Sequence, residues 1–377
     1  MTFPFDALRR RPDIEAPGLV AADAADRLLL NESADARAGL GDGELVVIGD
    51  SYGALTLAAC HDGARSVRVH QDALTGERAL AANAADLGLE GSGPESPFRS
   101  LPLNAELVSR ARVVLLRLPR SLDQLRDIAG LIAAHAAPDV VVFGGGRIKH
   151  MSTAMNDVLR EFFAHLDVTH ARQKSRVLVA RGPHDGADPT PTTASVEGIR
   201  VCAFGGVFAG ARLDIGTRLL LEHLPPRPRG GTPDDPLIDL ACGTGVIAAH
   251  LALRHPGAFV YATDQSAVAV ASAQRTVQAN GVAERVTVVR DDALGAVADA
   301  SASFIALNPP FHSGAAVSDR VAPKLFADAA RVLRPGGELW CVWNSPLGYR
   351  GVLESLVGPT RQVARNAKFT VTVSTRR

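Results

Sequence analysis

PLIDLACGTGVI, residues 236–247, is a short apolar run, a turn containing Gly243 and Gly245, and the start of an apolar helix. Glycines in such a turn let the backbone approach a ligand closely. A strand, a glycine turn and a helix are the first unit of an open α/β sheet, in which ligands bind at the carboxyl ends of the strands. The stretch therefore predicts a doubly wound α/β domain with a site at this end of its sheet.

The next two predicted strands also end in acidic residues. Strand 258–263 is followed by Asp264, 21 residues past Gly243, where a carboxylate would accept hydrogen bonds from ribose hydroxyls. Strand 285–290 leads to Asp292. A dinucleotide fold would have G-x-G-x-x-G to hold a pyrophosphate, whereas D-L-x-C-G-T-G is typical of sites for S-adenosyl-L-methionine, which has none. We therefore expect this cofactor, with Asp292 on its adenine side.

A fourth strand, 304–307, leads into Asn308-Pro309-Pro310-Phe311. The exocyclic amine of a base or amide is a weak nucleophile, because its lone pair is delocalised. The Asn308 side-chain oxygen and the Pro309 carbonyl can each accept one N–H and leave the lone pair directed at an electrophile. Two prolines stiffen the loop, and Phe311 can stack on the ring. We therefore expect methyl transfer to a planar amine, with these four residues as the catalytic group.

The first half of the chain repeats this plan without its chemistry. Strand 44–48 precedes Asp50, and the turn that follows has no Gly-x-Gly. Strand 113–116 leads into Arg117, which stands where Asn308 stands in the second half. We therefore expect a degenerate domain that neither binds the cofactor nor catalyses.

The acidic residues of the two halves have similar spacing. Asp50 and Asp72 are 22 residues apart, and Asp239 and Asp264 are 25 apart. The spacing predicts that each acid of the first half is the counterpart of one in the second.

Residues 182–195 are rich in glycine, proline and threonine, which favours an irregular linker. At 377 residues the chain is long enough for two domains. We therefore expect an α/β protein with two tandem Rossmann-like methyltransferase domains. Residues 1–181 form the degenerate domain, to which we assign RNA recognition, and residues 196–377 form the catalytic domain.

The composition is that of a soluble globular protein, with 46% hydrophobic and 21% charged residues. No apolar run approaches the roughly 20 residues that span a bilayer, and the N-terminus lacks a basic region followed by an apolar stretch. The four cysteines lack metal-ligand spacing, which argues for thiols in a reducing cytosol and against a metal site. We expect a cytoplasmic protein with no membrane partner.

Acidic and basic residues balance at 40 each, so any RNA contact must come from local patches. The favoured patch is Arg172, Lys174 and Arg176, because it lies in the domain that lacks chemistry of its own. The basic tail adds Lys368, and a further cluster lies at 147–150. Clusters of this kind are more often solvated surface than binding sites.

These motifs resemble the bacterial ribosomal RNA guanine-N2 methyltransferases, a paired family that acts on large-subunit and small-subunit RNA. The resemblance covers nearly the whole chain. It rests on V-F-x-x-x-x-L-D-I-G-T (207–217), D-L-x-C-G-T-G-V-I (239–247), N-P-P-F-H (308–312) and L-R-P-G-G-E-L (333–339). The segment G-D-S-Y-G-A-L (49–55) is closer to the large-subunit branch.

The resemblance implies methylation of a guanine N2 amine, with the guanine at 308–311. In folded RNA that amine lies in the minor groove, so the base must be flipped or already unpaired. We therefore expect the substrate to be 23S RNA that is unassembled or carries little protein. We also expect the enzyme to be a monomer. The cofactor residues expected in this chain are Asp214, Gly216, Asp239, Ala241, Gly243, Gly245, Asp264, Asp292 and Asn308.

Other functions fit the same motifs. The enzyme could act on small-subunit 16S RNA, or on adenine N6 or a protein glutamine, whose amines would be held in the same way. A different class is a non-catalytic RNA-binding assembly factor that has kept the fold. Two departures from the family pattern are Ala241, where glycine is usual, and Asn344-Ser345-Pro346-Leu347-Gly348-Tyr349, which lacks the usual Arg-His.

Overall fold

The computed structural model describes residues 2–91, 96–310 and 315–377. The chain divides into two compact units, Met1–Thr190 and Pro191–Arg377. Both are α/β units, and the division falls within the segment expected to be a linker.

The N-terminal unit is built on a seven-stranded sheet in the order β3-β2-β1-β4-β5-β7-β6. Neighbours among the first five strands are parallel, and β7 is antiparallel to both of its neighbours. The strands are β1 (Leu45–Ile48), β2 (Val67–His70), β3 (Phe98–Ser100), β4 (Val113–Arg117), β5 (Val141–Arg147), β6 (Phe163–Val168) and β7 (Ser175–Pro183). The helices are α1 (Ala24–Glu32), α2 (Ala34–Arg37), α3 (Ala54–His61), α4 (Leu74–Asp86), α5 (Ala105–Val108), α6 (Leu122–His135) and α7 (Thr153–Arg160).

The C-terminal unit has the same topology, β12-β11-β10-β13-β14-β16-β15, preceded by a hairpin of β8 and β9. The strands are β8 (Thr192–Val196), β9 (Ile199–Ala203), β10 (Leu237–Leu240), β11 (Val260–Asp264), β12 (Val286–Arg290), β13 (Ala302–Leu307), β14 (Leu333–Asn344), β15 (Thr360–Arg365) and β16 (Phe369–Thr375). The helices are α8 (Ile215–His223), α9 (Val246–Arg254), α10 (Ala267–Ala279), α11 (Ala315–Val332) and α12 (Arg350–Leu356). The expected fold class is confirmed.

Apolar residues cover both faces of each sheet. In the C-terminal unit Leu237 and Phe304 belong to one buried cluster, while Ile238 and Ile305, the next residues along the same strands, belong to another. Parallel strands need this pattern because helices pack on both sides of the sheet. The candidate site lies at the carboxyl ends of the parallel strands, beyond these apolar positions. Among the described residues, no helix combines the length and apolar character needed to cross a membrane.

The expectation of an irregular linker is wrong at both ends of 182–195. Strand β7 extends to Pro183, which pairs with Phe163 of β6, and β8 pairs with β9 from Thr192 onward. Gly182 and Pro183 are tolerated because the ladder between β5 and β7 ends at Arg181, so that side of the last residues of β7 needs no ladder hydrogen bond.

Strand register identifies the counterparts in the two units. Val47 of β1 pairs with Leu115 of β4, as Asp239 of β10 pairs with Ala306 of β13. Arg117 and Asn308 each come two residues after the paired residue, so Arg117 does occupy the position of Asn308. The acidic spacing was misleading, because the same register makes Val47 the counterpart of Asp239 and Gln71 that of Asp264. Asp50 has a local role instead, since its buried carboxylate accepts the backbone N–H groups of Gly53 and Thr56 at the start of α3.

The glycine turn offers a matched pair of substitutions. Gly243 and Gly245 both have positive φ, at 54° and 73°. A Cβ at Gly243 would meet no atom within 4 Å, whereas one at Gly245 would lie 2.8 Å from Ala273 Cβ. Gly243→Ala should cost about 1–2 kcal/mol of unfolding free energy from backbone strain alone. Gly245→Ala should cost about 1–3 kcal/mol more, because α9 must move away from α10. Calorimetric unfolding of both variants tests this, and equal losses would contradict the close packing.

Candidate active site

The centre of the site is a contact between the start of α8 and the end of β13. Asp214 is the N-cap of α8, and its Oδ2 accepts the backbone N–H groups of Gly216 and Thr217 at 2.9 and 3.1 Å. Asn308 follows β13 and donates its Nδ2 to Thr217 Oγ1 at 2.8 Å and to Asp214 Oδ2 at 3.3 Å. Asp214, Thr217 and Asn308 form what we call the amide triangle. Thr217 is the residue that sequence reasoning missed, although it lies three residues past a recognisable helix cap.

The amide triangle fixes which end of the Asn308 amide faces which way. A carboxylate can only accept hydrogen bonds, so the NH₂ group must face Asp214. Asn308 Oδ1 is buried and has no hydrogen-bond partner among the described residues. An unpaired buried acceptor costs about 1–3 kcal/mol, so the oxygen is well suited to receive a donor from a ligand. Pro309 is buried and Pro310 exposed, while Phe311 lies outside the described residues.

The glycine loop after β10 lies between the ends of β11 and β13. Ala241 has φ 58° and Gly243 φ 54°, so the alanine that replaces the usual glycine does adopt a left-handed conformation. Such strain costs roughly 1–2 kcal/mol and is commonly kept at functional sites. The side of Gly243 on which a Cβ would stand is open.

Asp264 connects this loop to the next strand ends. Its Oδ2 accepts Gly243 N–H at 3.0 Å and its Oδ1 accepts Ser266 N–H at 2.9 Å. Asp292, the expected adenine-side carboxylate, is held by Lys324, whose Nζ lies 2.6 Å from both of its oxygens. The contact with Lys324 could not be read from the sequence.

Asp239 is fully buried beneath the loop. Its Oδ2 accepts Ala248 N–H at 2.9 Å, while its Oδ1 has no partner in the described parts of the chain. Burial, together with the nearby Asp264, raises the pKa of Asp239 to about 8. An unpaired acceptor of this kind fits a positively charged donor, which would favour the ionised form.

Two of the candidate glycines serve packing. A Cβ at Gly216 would lie 3.0 Å from the Phe369 ring, and Gly245 is in contact with Ala273. Neither leaves room for a ligand at that point. Lys368 precedes Phe369 and is exposed near the start of α8.

The N-terminal unit has the same triangle built from different side chains. Asp23 caps α1, Asp26 stands three residues later, and Arg117 Nη1 donates to both carboxylates at 2.9 and 2.8 Å. Burial raises the pKa of Asp26 to about 6. A guanidinium has no acceptor, so Arg117 cannot accept an amine N–H at the position where Asn308 offers an oxygen.

The RNA candidates lie on a turn of the N-terminal unit. Arg172 and Lys174 are exposed, and Arg176 is half-buried in β7. Lys174 O accepts Ile148 N–H at 2.9 Å, so this turn is next to the basic cluster at 147–150. The two clusters, which are separate in sequence, are neighbours in the fold.

The two sheets, the glycine loop and the amide triangle define a methyltransferase of the Rossmann-like class. The family model described as "Methyltransferase small domain" matches residues 198–373, and that described as "RLMG N-terminal domain" matches residues 2–184. A Streptomyces avermitilis protein named "Ribosomal RNA large subunit methyltransferase G" is 37% identical, covering 98% of this chain and 97% of its own. The protein of that name from Shewanella amazonensis is 32% identical, covering 97% and 94%. The chain belongs to this family of ribosomal RNA methyltransferases.

A solved structure with the same fold is a 16S rRNA N2 methyltransferase from T. thermophilus, in complex with AdoMet and guanosine. It superposes with a TM-score of 0.75 at 21% identity, covering 99% of this chain and 100% of its own.

The raised pKa of Asp239 predicts a pH dependence of stability. The native state holds this proton up to about pH 8, whereas the unfolded chain releases it near pH 4. The stabilisation is therefore present at low pH and is lost as the pH rises through about 8. Asp239→Asn cannot ionise, so it should not lose stability in this way. The unfolding free energy of the variant minus that of the wild type should therefore grow by up to about 1.4 kcal/mol per pH unit between about pH 5 and 8.

Denaturant unfolding of both proteins without ligand, repeated across that pH range, tests this. A constant difference between them would mean that Asp239 is already ionised in the folded protein.

Proposed function

We propose that this protein transfers a methyl group from S-adenosyl-L-methionine to the N2 amine of a guanine in large-subunit ribosomal RNA. The observation that carries the proposal is the buried Oδ1 of Asn308, which has no partner among the residues that the structure describes and belongs to an amide held by Asp214 and Thr217. This oxygen is suited to accept one N–H of a planar amine.

The residues of the glycine loop fit the cofactor. Asp264 would accept ribose hydroxyls beside its bonds to Gly243 and Ser266. The open side of Gly243 admits close approach of a ligand, and Asp239 Oδ1, which has no partner among the described residues, would accept the ligand's ammonium group. Asp292 would take part on the adenine side while paired with Lys324. When bound, the cofactor supplies an electrophilic methyl group.

The contribution of the chain is to position the amine. Asn308 Oδ1 accepts one N–H and the Pro309 carbonyl accepts the other, which turns the nitrogen lone pair toward the methyl carbon. The amine so held would take the methyl group as the cofactor's C–S bond breaks, the cofactor would leave as the demethylated thioether, and the acidic proton of the methylated amine would pass to solvent. Because no general base is required before transfer, orientation supplies most of the acceleration.

Support for a large-subunit RNA substrate comes from the relatives. Those named as large-subunit enzymes are 37% and 32% identical over nearly the whole chain, against 21% for the small-subunit enzyme. Adenine N6 and protein glutamine offer the same pair of N–H groups, but the names of these relatives favour RNA. A non-catalytic assembly factor would have no use for an oriented, unpaired acceptor at Asn308.

We assign residues 1–181 the role of RNA recognition and residues 196–377 that of catalysis. The triangle of Asp23, Asp26 and Arg117 supports this division, because Arg117 offers only donors where Asn308 offers an acceptor. Arg172, Lys174 and Arg176 would contact phosphates, and Lys368 would do so beside the active site. The target guanine must leave its stack to reach Asn308, which favours unassembled RNA in the cytoplasm and a monomeric enzyme.

Asn308→Ala tests the proposed function. Loss of the oriented acceptor should lower kcat for methyl transfer to deproteinised large-subunit RNA by about a hundredfold or more. Affinity for the cofactor should stay close to that of the wild type, because the glycine loop is unchanged. The rate is measured by incorporation of labelled methyl groups, and the product base is identified by mass spectrometry.

Ser303→Ala is the matched control, since it truncates a polar side chain at the other end of β13 and should leave kcat unchanged. Full activity of Asn308→Ala, or label in a base other than guanine, would refute the proposal.

A further inference from the structure

The N-terminal unit contains a cavity of about 540 Å³ with no part in the chemistry above. It lies at the carboxyl ends of β1, β4 and β5, the position that the candidate active site occupies in the other unit. Its volume is within the range of roughly 300–1,000 Å³ typical of ligand sites. The basic lining residues are Arg117, Arg120, Arg147, Lys149 and His150.

The positive charge of this cavity is not neutralised by its own acids. Two carboxylates line it, and that of Asp23 is bound to Arg117. Among the described residues, Arg120, Arg147 and Lys149 form no ion pair. Three cations therefore face one remaining carboxylate, which favours an anionic ligand.

Two further observations support a site for an anion. The Nε of Arg147 is buried and has no hydrogen-bond partner within the described residues. Burial and then the charges of Arg120, Lys149 and Arg147 lower the pKa of His150, whose Nε2 lies 3.5 Å from Arg120 Nη2. The charges of Arg120, Lys149 and Arg147 are thus all felt at His150. An anion bound there would reduce the repulsion among these three side chains.

The cavity is not built to hold a nucleoside. Gln71 stands at the position of the ribose carboxylate, and its Nε2 is used by the backbone oxygens of Asp50 and Gly76. The loop is also closed on one side, because a Cβ at Gly76 would lie 2.6 Å from Ser51 O. The ligand chemistry that remains is a phosphate group.

A polymer fits this arrangement better than a free phosphate does. The cavity's basic edge at 147–150 is joined to the turn that carries Arg172 and Lys174 by the hydrogen bond from Ile148 N–H to Lys174 O, 2.9 Å long. Cations inside the cavity are thus followed by cations on the adjacent surface. Successive phosphates of one strand could occupy both.

We propose that the cavity of the N-terminal unit binds a backbone phosphate of the RNA substrate through Arg120, Arg147 and Lys149. The identity of the polymer rests on the proposed function, and the site itself rests on the charges and shape of this cavity. The vestigial domain thereby uses the position of a lost cofactor site to hold RNA.

The test is the double variant Arg120→Gln/Lys149→Gln in the full chain, since both side chains are exposed and their loss should not affect folding. Binding of deproteinised large-subunit RNA is measured by fluorescence anisotropy at several salt concentrations. We expect affinity at about 0.1 M salt to fall about tenfold or more, and the salt slope to fall by about 1, as for one phosphate that is no longer neutralised.

Arg65→Gln/Arg110→Gln is the matched control, because these exposed arginines precede β2 and β4 at the opposite edge of the same sheet. It should bind RNA nearly as the wild type does. Unchanged affinity and slope in Arg120→Gln/Lys149→Gln, or a loss as large in the control, would overturn the proposal.

Binding of guanosine monophosphate and of inorganic phosphate is measured by calorimetry in parallel. A cavity that binds either one while RNA affinity does not depend on Arg120 and Lys149 is a small-molecule site, which would also overturn the proposal. Methyl transfer by the wild type is scored separately. Its failure would reject the proposed function and leave the RNA-binding result standing.

Discussion

The site depends on the fact that the carboxylate of Asp214 can accept hydrogen bonds but not donate them. It holds the first turn of α8 and also requires the NH₂ end of the Asn308 amide to face it. Thr217 Oγ1 adds the shorter contact to the same nitrogen. As a consequence, the oxygen of Asn308 is buried and has no partner in the described parts of the chain. An acceptor with a fixed direction is what an amine with a delocalised lone pair needs from a protein.

The same backbone can support a triangle with or without this chemistry. In each unit a helix-capping aspartate, the residue three positions later and a residue at the end of a central strand, β4 or β13, are in contact. In the C-terminal unit the third member is an amide that offers an oxygen. In the N-terminal unit it is Arg117, which offers only donors and is paired with two carboxylates. With arginine in place of asparagine, the triangle is a set of ion pairs and offers no amide oxygen. A basic cavity lies beside it.

The sequence predicted the parts of the fold that have local signals. Strands at 45–48, 113–117 and 286–290 agree with the predicted ones to within a residue, because short apolar runs bounded by turn residues are visible in any chain. The counterparts of Asp239 and Asp264 were mispredicted, since strand pairing sets equivalence and residue counting does not. The pairing of Asp292 with Lys324 and the role of Thr217 depend on contacts distant in sequence. No periodicity encodes those contacts.

The most direct test removes the shorter of the two hydrogen bonds that hold the Asn308 amide and leaves the amide itself in place. Thr217→Val has nearly the same shape but cannot accept from Asn308, so the single-turnover rate of methyl transfer should fall about tenfold or more. Affinities for RNA and cofactor should hold, and Thr217→Ser should restore the rate. A wild-type rate in Thr217→Val would contradict the claim that catalysis depends on a firmly held Asn308 amide.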